Sequence, residues 1–279
     1  YLTGNPQITF FKIVYRRHTN FSMECIQQSI SGIETLSDTY TTSATVTISR
    51  NGDLLSQIYV RCDQDNTSGI NGDYLVEDVE IEIGGQRIDK HYREWNQIWS
   101  ELTTPESKVN GFKYLTGGFS NTLITGNGTL QQSIMYPLQV WCCRNIGLAL
   151  PLIALQYQEI FIKITFRPIC DLFRIRNVGD PSGNYPYISP KLSTQLNNIW
   201  RFLSPPTVRS GTEADISQNF YPDRRQVWDA DIHLLANYYF LSDDERLIFA
   251  RDDQTYLIKE TRTYDFLNVT GSSVIEMDS

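Results

Sequence analysis

The sequence predicts an all-β protein: an antiparallel jelly-roll sandwich with a few short helices in its loops. Three observations carry this expectation. Runs of alternating apolar and polar residues recur along the chain, separated by turns rich in Gly, Asn and Asp. Helix-period stretches are few and short, so the βαβ units of a parallel sheet cannot be assembled. The chain carries 16 Tyr and 13 Phe, and aromatic side chains suit a half-buried pleated surface.

Phe10, Phe11, Lys12, Tyr15, Arg16 and Arg17 form an aromatic-basic lead-in to a strand expected over Thr19–Ile30. Aromatic anchors pinning a first strand account for this stretch better than phosphate binding by Arg16 and Arg17, since the chain as a whole is acidic. Ala44–Arg50 alternates cleanly, Asn51-Gly52 follows, and Asp53–Cys62 resumes the alternation. Two such runs flanking Asn-Gly predict a β-hairpin. After the polar loop Gln64–Asp73, Val79, Ile81 and Ile83 are expected to face inward, with Asp78, Glu80 and Glu82 toward water. Gly84-Gly85 then turns the chain into Gln86-Arg87-Ile88, a second hairpin.

The period changes over Asp89–Leu102, where Tyr92, Trp95, Ile98, Trp99 and Leu102 mark one face of an amphipathic helix. Thr104-Pro105-Glu106 begins another short helix, with Thr104 as its N-cap. Asn110–Leu130 reads as a long Gly-, Asn- and Thr-rich loop of the kind that carries function. Strands are expected over Ile134–Arg144 and Ala154–Pro168, broken by Asn145–Pro151. Asp171–Gln226 has little sustained period and reads as an insertion with one strand near Leu196–Leu203. Val227–Leu241 is a strand, Ser242 and Glu245 frame a capping box before Arg246–Arg251, and Thr255–Asn268 is strand-like again.

A hydrophobic fraction of 41% over 279 residues is enough for a substantial core. A net charge of -8 opposes wrapping nucleic acid over a large surface, and direct nucleic-acid contact is not expected. The five cysteines (Cys25, Cys62, Cys142, Cys143, Cys170) are odd in number and form no CxxC, which suits buried thiols in a reducing compartment. The most apolar run, Ile146–Leu155, contains a proline and is too short to span a bilayer.

Motifs that carry chemistry are absent. The three histidines, His18, His91 and His233, form no H-x-H or H-E-x-x-H, so neither a metal centre nor a cofactor is expected. No GxSxG, P-loop or GxGxxG occurs, and no catalytic residue is assigned. Glu77, Asp78, Glu80 and Glu82 are the one carboxylate group that resembles a glycosidase pair. Their alternation makes them the water side of a strand instead. Asp243, Asp244 and Glu245 offset a helix dipole and need no catalytic role. Of four N-x-S/T triplets, those at Asn66 and Asn127 fall in expected loops and are the candidate glycan acceptors.

Several stretches carry a family resemblance in order along the chain. LTGNPQITFFKIVYRRHTNF (Leu2–Phe21), SATVTISRNGDLLSQI (Ser43–Ile58) and VEIEIGGQRIDKHYREW (Val79–Trp95) resemble segments of the major capsid proteins of nucleocytoplasmic large DNA viruses. WCCRNIGLALPLIALQYQEIFIKITF (Trp141–Phe166) and Val227–Ala250, with DDER at Asp243–Arg246, are similar to later segments of the same family. The family includes chlorella virus, iridovirus and mimivirus relatives.

The resemblance implies a double jelly roll, a homotrimer of pseudo-hexagonal outline, and trimers that tile an icosahedral shell assembled in the host cytoplasm. It implies neighbouring capsomers and minor capsid proteins as partners, and no more than indirect proximity to an inner membrane. Residues 1–18 are then a lead-in, and 19–250 the first jelly roll, with a long insertion at about 171–226. Residues 251–279 form a linker and the first strand of an incomplete second jelly roll. A carbohydrate-binding module on the same fold is the alternative.

Overall fold

Ile160, Ile162, Ile164 and Phe166 alternate with polar or larger side chains, and all four are buried in the computed structural model of the chain. They lie on a central strand, and the rest of the sandwich is built around such runs. The structure describes residues 3–8, 13–17, 19–32, 36–37, 40–64, 72–117, 133–172, 175–176, 187–188, 230–256, 258 and 260–263.

Among the described residues, eight strands make the sandwich. In chain order they are β3 (Phe21–Gln28), β4 (Thr42–Thr47), β5 (Leu54–Gln64), β6 (Val76–Ile83), β7 (Gln86–Tyr92), β8 (Ile134–Pro137), β10 (Ile160–Phe166) and β13 (Ala230–Leu241). One sheet runs β3-β13-β5-β8, with the short β9 (Leu150–Pro151) also on β5, and the other runs β4-β10-β6-β7. All of these pairings are antiparallel. Counted along the chain, the first sheet takes the first, eighth, third and sixth sandwich strands, and the second takes the second, seventh, fourth and fifth. Successive strands mostly alternate between sheets, which is the jelly-roll order.

The two inner faces share one core. Ile58, Val60 and Cys62 of β5 and Leu234, Ala236 and Tyr238 of β13 meet Val46 of β4, Val79 and Ile81 of β6, and the isoleucines of β10. Two small ribbons stand apart: β1 (Thr3–Ile8) with β2 (Ile13–Arg17), and β11 (Ile175–Arg176) with β12 (Tyr187–Ile188). The lead-in is thus a hairpin, a pairing that its aromatic-basic composition did not signal.

The hairpin expected around Asn51-Gly52 does not form. β4 pairs with β10 and β5 pairs with β13, so the connection crosses from one sheet to the other. Gly52 is required for a different reason than a tight turn. A Cβ at this position would stand 2.8 Å from Tyr238 Cβ, so the backbone passes too close for any side chain. The second expected hairpin is borne out: β6 and β7 are joined by Gly84 (φ 58°) and Gly85 (φ 83°), the left-handed pair that a two-residue turn favours.

The helices depart further from expectation. Strand β7 continues to Tyr92, and α2, which follows the one-turn α1 (Gly72–Leu75), starts at Arg93 and ends at Thr103. Its buried residues are Asn96 and Ser100, whereas Ile98 and Leu102 are exposed. The helix expected to be short, α3 (Glu106–Thr116), covers the start of the presumed Asn110–Leu130 loop and stops at Gly117 (φ 79°). Pro105, not Thr104, is its N-cap.

Only Ile134–Pro137 of the expected strand Ile134–Arg144 is extended, because Trp141–Arg144 forms a one-turn helix, α4. Of Ala154–Pro168, the strand proper is Ile160–Phe166. After α5 (Ile169–Leu172), most of the 171–226 insertion, including the strand expected near Leu196–Leu203, lies outside the described residues. The helix after Ser242, α6 (Asp243–Arg251), is present, but the Ser242 side chain makes no capping bond. Instead, the Arg246 N–H donates to the Ser242 carbonyl. In Thr255–Asn268, the described residues are not in a strand.

Candidate functional site

Three of the five stretches that carry the resemblance meet at one place. Asp53, at the start of β5, is a buried carboxylate whose Oδ2 accepts the Leu241 N–H at 2.8 Å. Its Oδ1 stands 3.0 Å from Arg246 Nε in α6. Its own backbone N–H donates to the Tyr239 carbonyl, and its carbonyl accepts from Leu152 and Ile153. Arg50 donates through Nη2 to the carbonyls of Leu155 (3.0 Å) and Gln158 (2.6 Å), and through Nη1 to that of Gln156. Residues from SRNGDL, LPLIALQY and DDER therefore tie four chain segments together. Their polar atoms are spent on backbone groups, as suits a joint rather than a reacting centre.

The carboxylate stripe of β6 is likewise engaged. Lys163 of β10 lies 4.0 Å from Glu80 and also bonds Glu82. Asp78 accepts from Thr165 Oγ1 at 3.0 Å and pairs with Lys90 at 3.4 Å. Arg167 holds Glu77 at 3.2 Å. Asp78, Glu80 and Glu82 are half-buried rather than freely solvated, and each has a cross-strand partner. Three cations serve these four carboxylates, Lys163 being shared by Glu80 and Glu82.

Under α2 the side chains of β7 meet an aromatic group. His91 Nε2 lies 2.9 Å from Asp89 Oδ2, with both side chains buried. The rings of His91 and Trp95 are 6.5 Å apart, those of Trp95 and Trp99 5.6 Å apart, and the Arg144 guanidinium stacks 4.1 Å above Trp99. Burial pulls the Arg144 guanidinium below its ordinary value, against the opposing pull of Asp89. The aromatics of Asp89–Trp99 thus serve the fold, while Ile98 and Leu102 on the same helix are exposed, as are Tyr114, Leu247 and Ile248 on α3 and α6.

One grouping was not legible in the sequence. Asp63, Asp231 and His233 place their ligand atoms within 4.8 Å of one another. Asp231 and His233 are visible as a D-x-H pair, but Asp63 joins them only through the β5–β13 register. Burial alone would push the Asp63 carboxyl up, yet hydrogen bonds from Ser133 and Arg61 together hold it below its ordinary value. The adjacent thiols of Cys142 and Cys143 lie 4.0 Å apart in α4, where burial pushes the Cys143 thiol up. The candidate glycan acceptors Asn66 and Asn127, His18 and the side chains of Arg16 and Arg17 lie outside the described residues.

The family profile described as "Major capsid protein N-terminus" matches residues 9–199. The major capsid protein of Pyramimonas orientalis virus is 48% identical over 180 residues, covering 62% of this chain and 44% of the relative. That of Phaeocystis pouchetii virus is 33% identical, covering 98% of this chain and 52% of the relative. Among solved structures, PBCV-1 VP54, fitted into a reconstruction of the virophage Sputnik, has a TM-score of 0.56 at 30% identity. It covers 90% of this chain, which spans 49% of that one. A quasi-atomic description of the PBCV-1 virus capsid matches with the same TM-score of 0.56 at 28% identity. The chain thus spans about half the length of the relatives it matches.

Proposed function

The chain belongs to the major capsid protein family, and from that premise we propose that it is a structural subunit of the icosahedral shell of a large DNA virus. The observation that carries the proposal is the complete jelly-roll strand order. It is built on sequence motifs spent on internal joints, and it aligns over 90% of the chain with a capsid protein of known structure. The relatives are structural capsid proteins, and the mechanism proposed here is assembly rather than catalysis.

In this reading, residues 19–250 form the first of two jelly rolls, 1–18 the lead-in, and 251–279 the passage into the second. Three copies form a pseudo-hexagonal capsomer whose large interface is apolar at its centre. Neighbouring capsomers and minor capsid proteins complete the shell, which is assembled in the host cytoplasm. Exposed Ile98, Leu102 and Tyr114 supply apolar surface for such contacts. The net charge of -8 suits a shell without direct genome contact. Asn66 and Asn127 remain the acceptors through which such a shell would carry glycans.

The test is the protein composition of purified virions of the virus that encodes the chain, measured by quantitative mass spectrometry. The proposal expects this protein to be the dominant species and immunogold label to coat the particle surface. Trace abundance, or label confined to infected-cell extracts, would refute it.

A further inference from the structure

We propose that Asp63, Asp231 and His233 form a divalent-cation site, for which zinc is the fitting ion, on the outer face of the β5–β13 pair. Asp231 and Asp63 are direct partners across the two strands, and His233 sits opposite Arg61 one step along. The two-residue period of a strand puts all of these side chains on the face opposite core residues Cys62 and Leu234.

His233 lies on the outer face, yet its side chain is only 8% exposed. Its Nδ1 has no hydrogen-bond partner, and the nearest acidic atom, Asp231 Oδ1, is 3.7 Å away. That distance is too long for a hydrogen bond. It is close to the edge of a zinc tetrahedron, roughly 3.3–3.5 Å when the ligand bonds are about 2.0–2.2 Å. A buried imidazole nitrogen left without a partner calls for an explanation, and a metal ion at the apex of this triangle supplies one.

The donor set is chemically consistent. One neutral imidazole and two carboxylates suit a borderline cation, and with Arg61 paired to Asp63 the group keeps a net negative charge toward a divalent ion. All three ligand atoms already lie within 4.8 Å of each other. Asp231, 74% exposed, is free to rotate toward His233 Nδ1. Arg61, 3.0 Å from Oδ1, and Ser133 together fix the orientation of the Asp63 carboxylate, whose oxygens keep further lone pairs for the ion. With three protein ligands, water takes the fourth position.

Such a site would fasten the end of β5 to the beginning of β13. The chain leaves β5 at Gln64 and enters β13 at Ala230, so one ion would close the sheet where two connections depart. The role is that of a clasp.

The experiment is zinc titration of the full chain after chelator treatment, by calorimetry at neutral pH and by thermal melting. One equivalent should bind, with a rise in melting temperature. Asp231→Asn, at an exposed position that leaves the fold intact, and His233→Gln should each weaken binding by at least about tenfold and remove the rise. Cobalt substitution separates this site from the cysteines, because an N/O-ligated ion gives no thiolate charge-transfer band. The inference is overturned by no stoichiometric uptake at micromolar zinc, by unchanged affinity in Asp231→Asn, or by a cobalt spectrum carrying the thiolate band.

Discussion

Arg246 Nε stands 3.0 Å from Asp53 Oδ1, and this one pair joins the first turn of α6 to the first residue before β5. The two members are not equal. Asp53 is buried and also receives the Leu241 N–H, whereas the Arg246 side chain is 49% exposed.

Removing each side separately should expose that inequality. Asp53→Ala strands the part-buried Leu241 N–H, while Arg246 keeps solvent and Asp243, and should destabilise the fold by about 1–3 kcal/mol. Arg246→Ala gives up a half-exposed ion pair worth about 1 kcal/mol or less. Urea denaturation of the two variants measures the difference, and equal losses would show that the carboxylate has no role beyond the pair.

Three glycines should respond to alanine in three different ways. Gly52→Ala drives a Cβ to 2.8 Å from Tyr238 Cβ, in a fully packed place, and should cost about 1–3 kcal/mol. Gly85→Ala has open space but a φ of 83°, so its cost, about 1 kcal/mol, is purely conformational. Gly111 lies inside α3 with nothing near it, and alanine there should stabilise by about 0.5–1 kcal/mol. Thermal melting of the three variants orders them, and a neutral Gly52→Ala would contradict the close approach to Tyr238 as the reason for Gly52.

Tyr238 should make the fold sensitive to alkali. Burial pushes its phenol above the ordinary tyrosine value, while its O–H donates to the Ser49 carbonyl at 2.7 Å. A raised folded-state value means that the neutral form is favoured by folding. Its contribution is complete below the unfolded-state value and is lost as pH rises through the folded-state value. Wild-type stability should therefore fall more steeply than that of Tyr238→Phe as pH is raised into the alkaline range. At neutral pH the variant should be weaker by about 1 kcal/mol for the lost hydrogen bond. Urea midpoints across pH test both statements, and parallel curves would contradict the first.

The legible parts of this fold are those in which one residue's neighbours decide its face. The alternation of Ile160–Phe166, of Val76–Ile83 and of the end of Val227–Leu241 was readable because each strand buries one side against the same core. Which strand pairs with which was not readable. Ala44–Arg50 and Asp53–Cys62 look like a hairpin because Asn-Gly between alternating runs is a local signal. The actual partners, β10 and β13, are far along the chain. The apolar period of Asp89–Leu102 marks the helix that forms but not its buried side: α2 buries Asn96 and Ser100 and leaves Ile98 and Leu102 outside. Asp63, Asp231 and His233 escaped notice because register, not spacing, brings them together.

The most direct measurement is the mass in solution of the full-length protein that contains this chain, by light scattering coupled to size exclusion at micromolar concentration. A shell subunit of this family is predicted to elute with three times the mass of one chain. A stable monomer under those conditions would contradict the proposal that it is a trimeric building block.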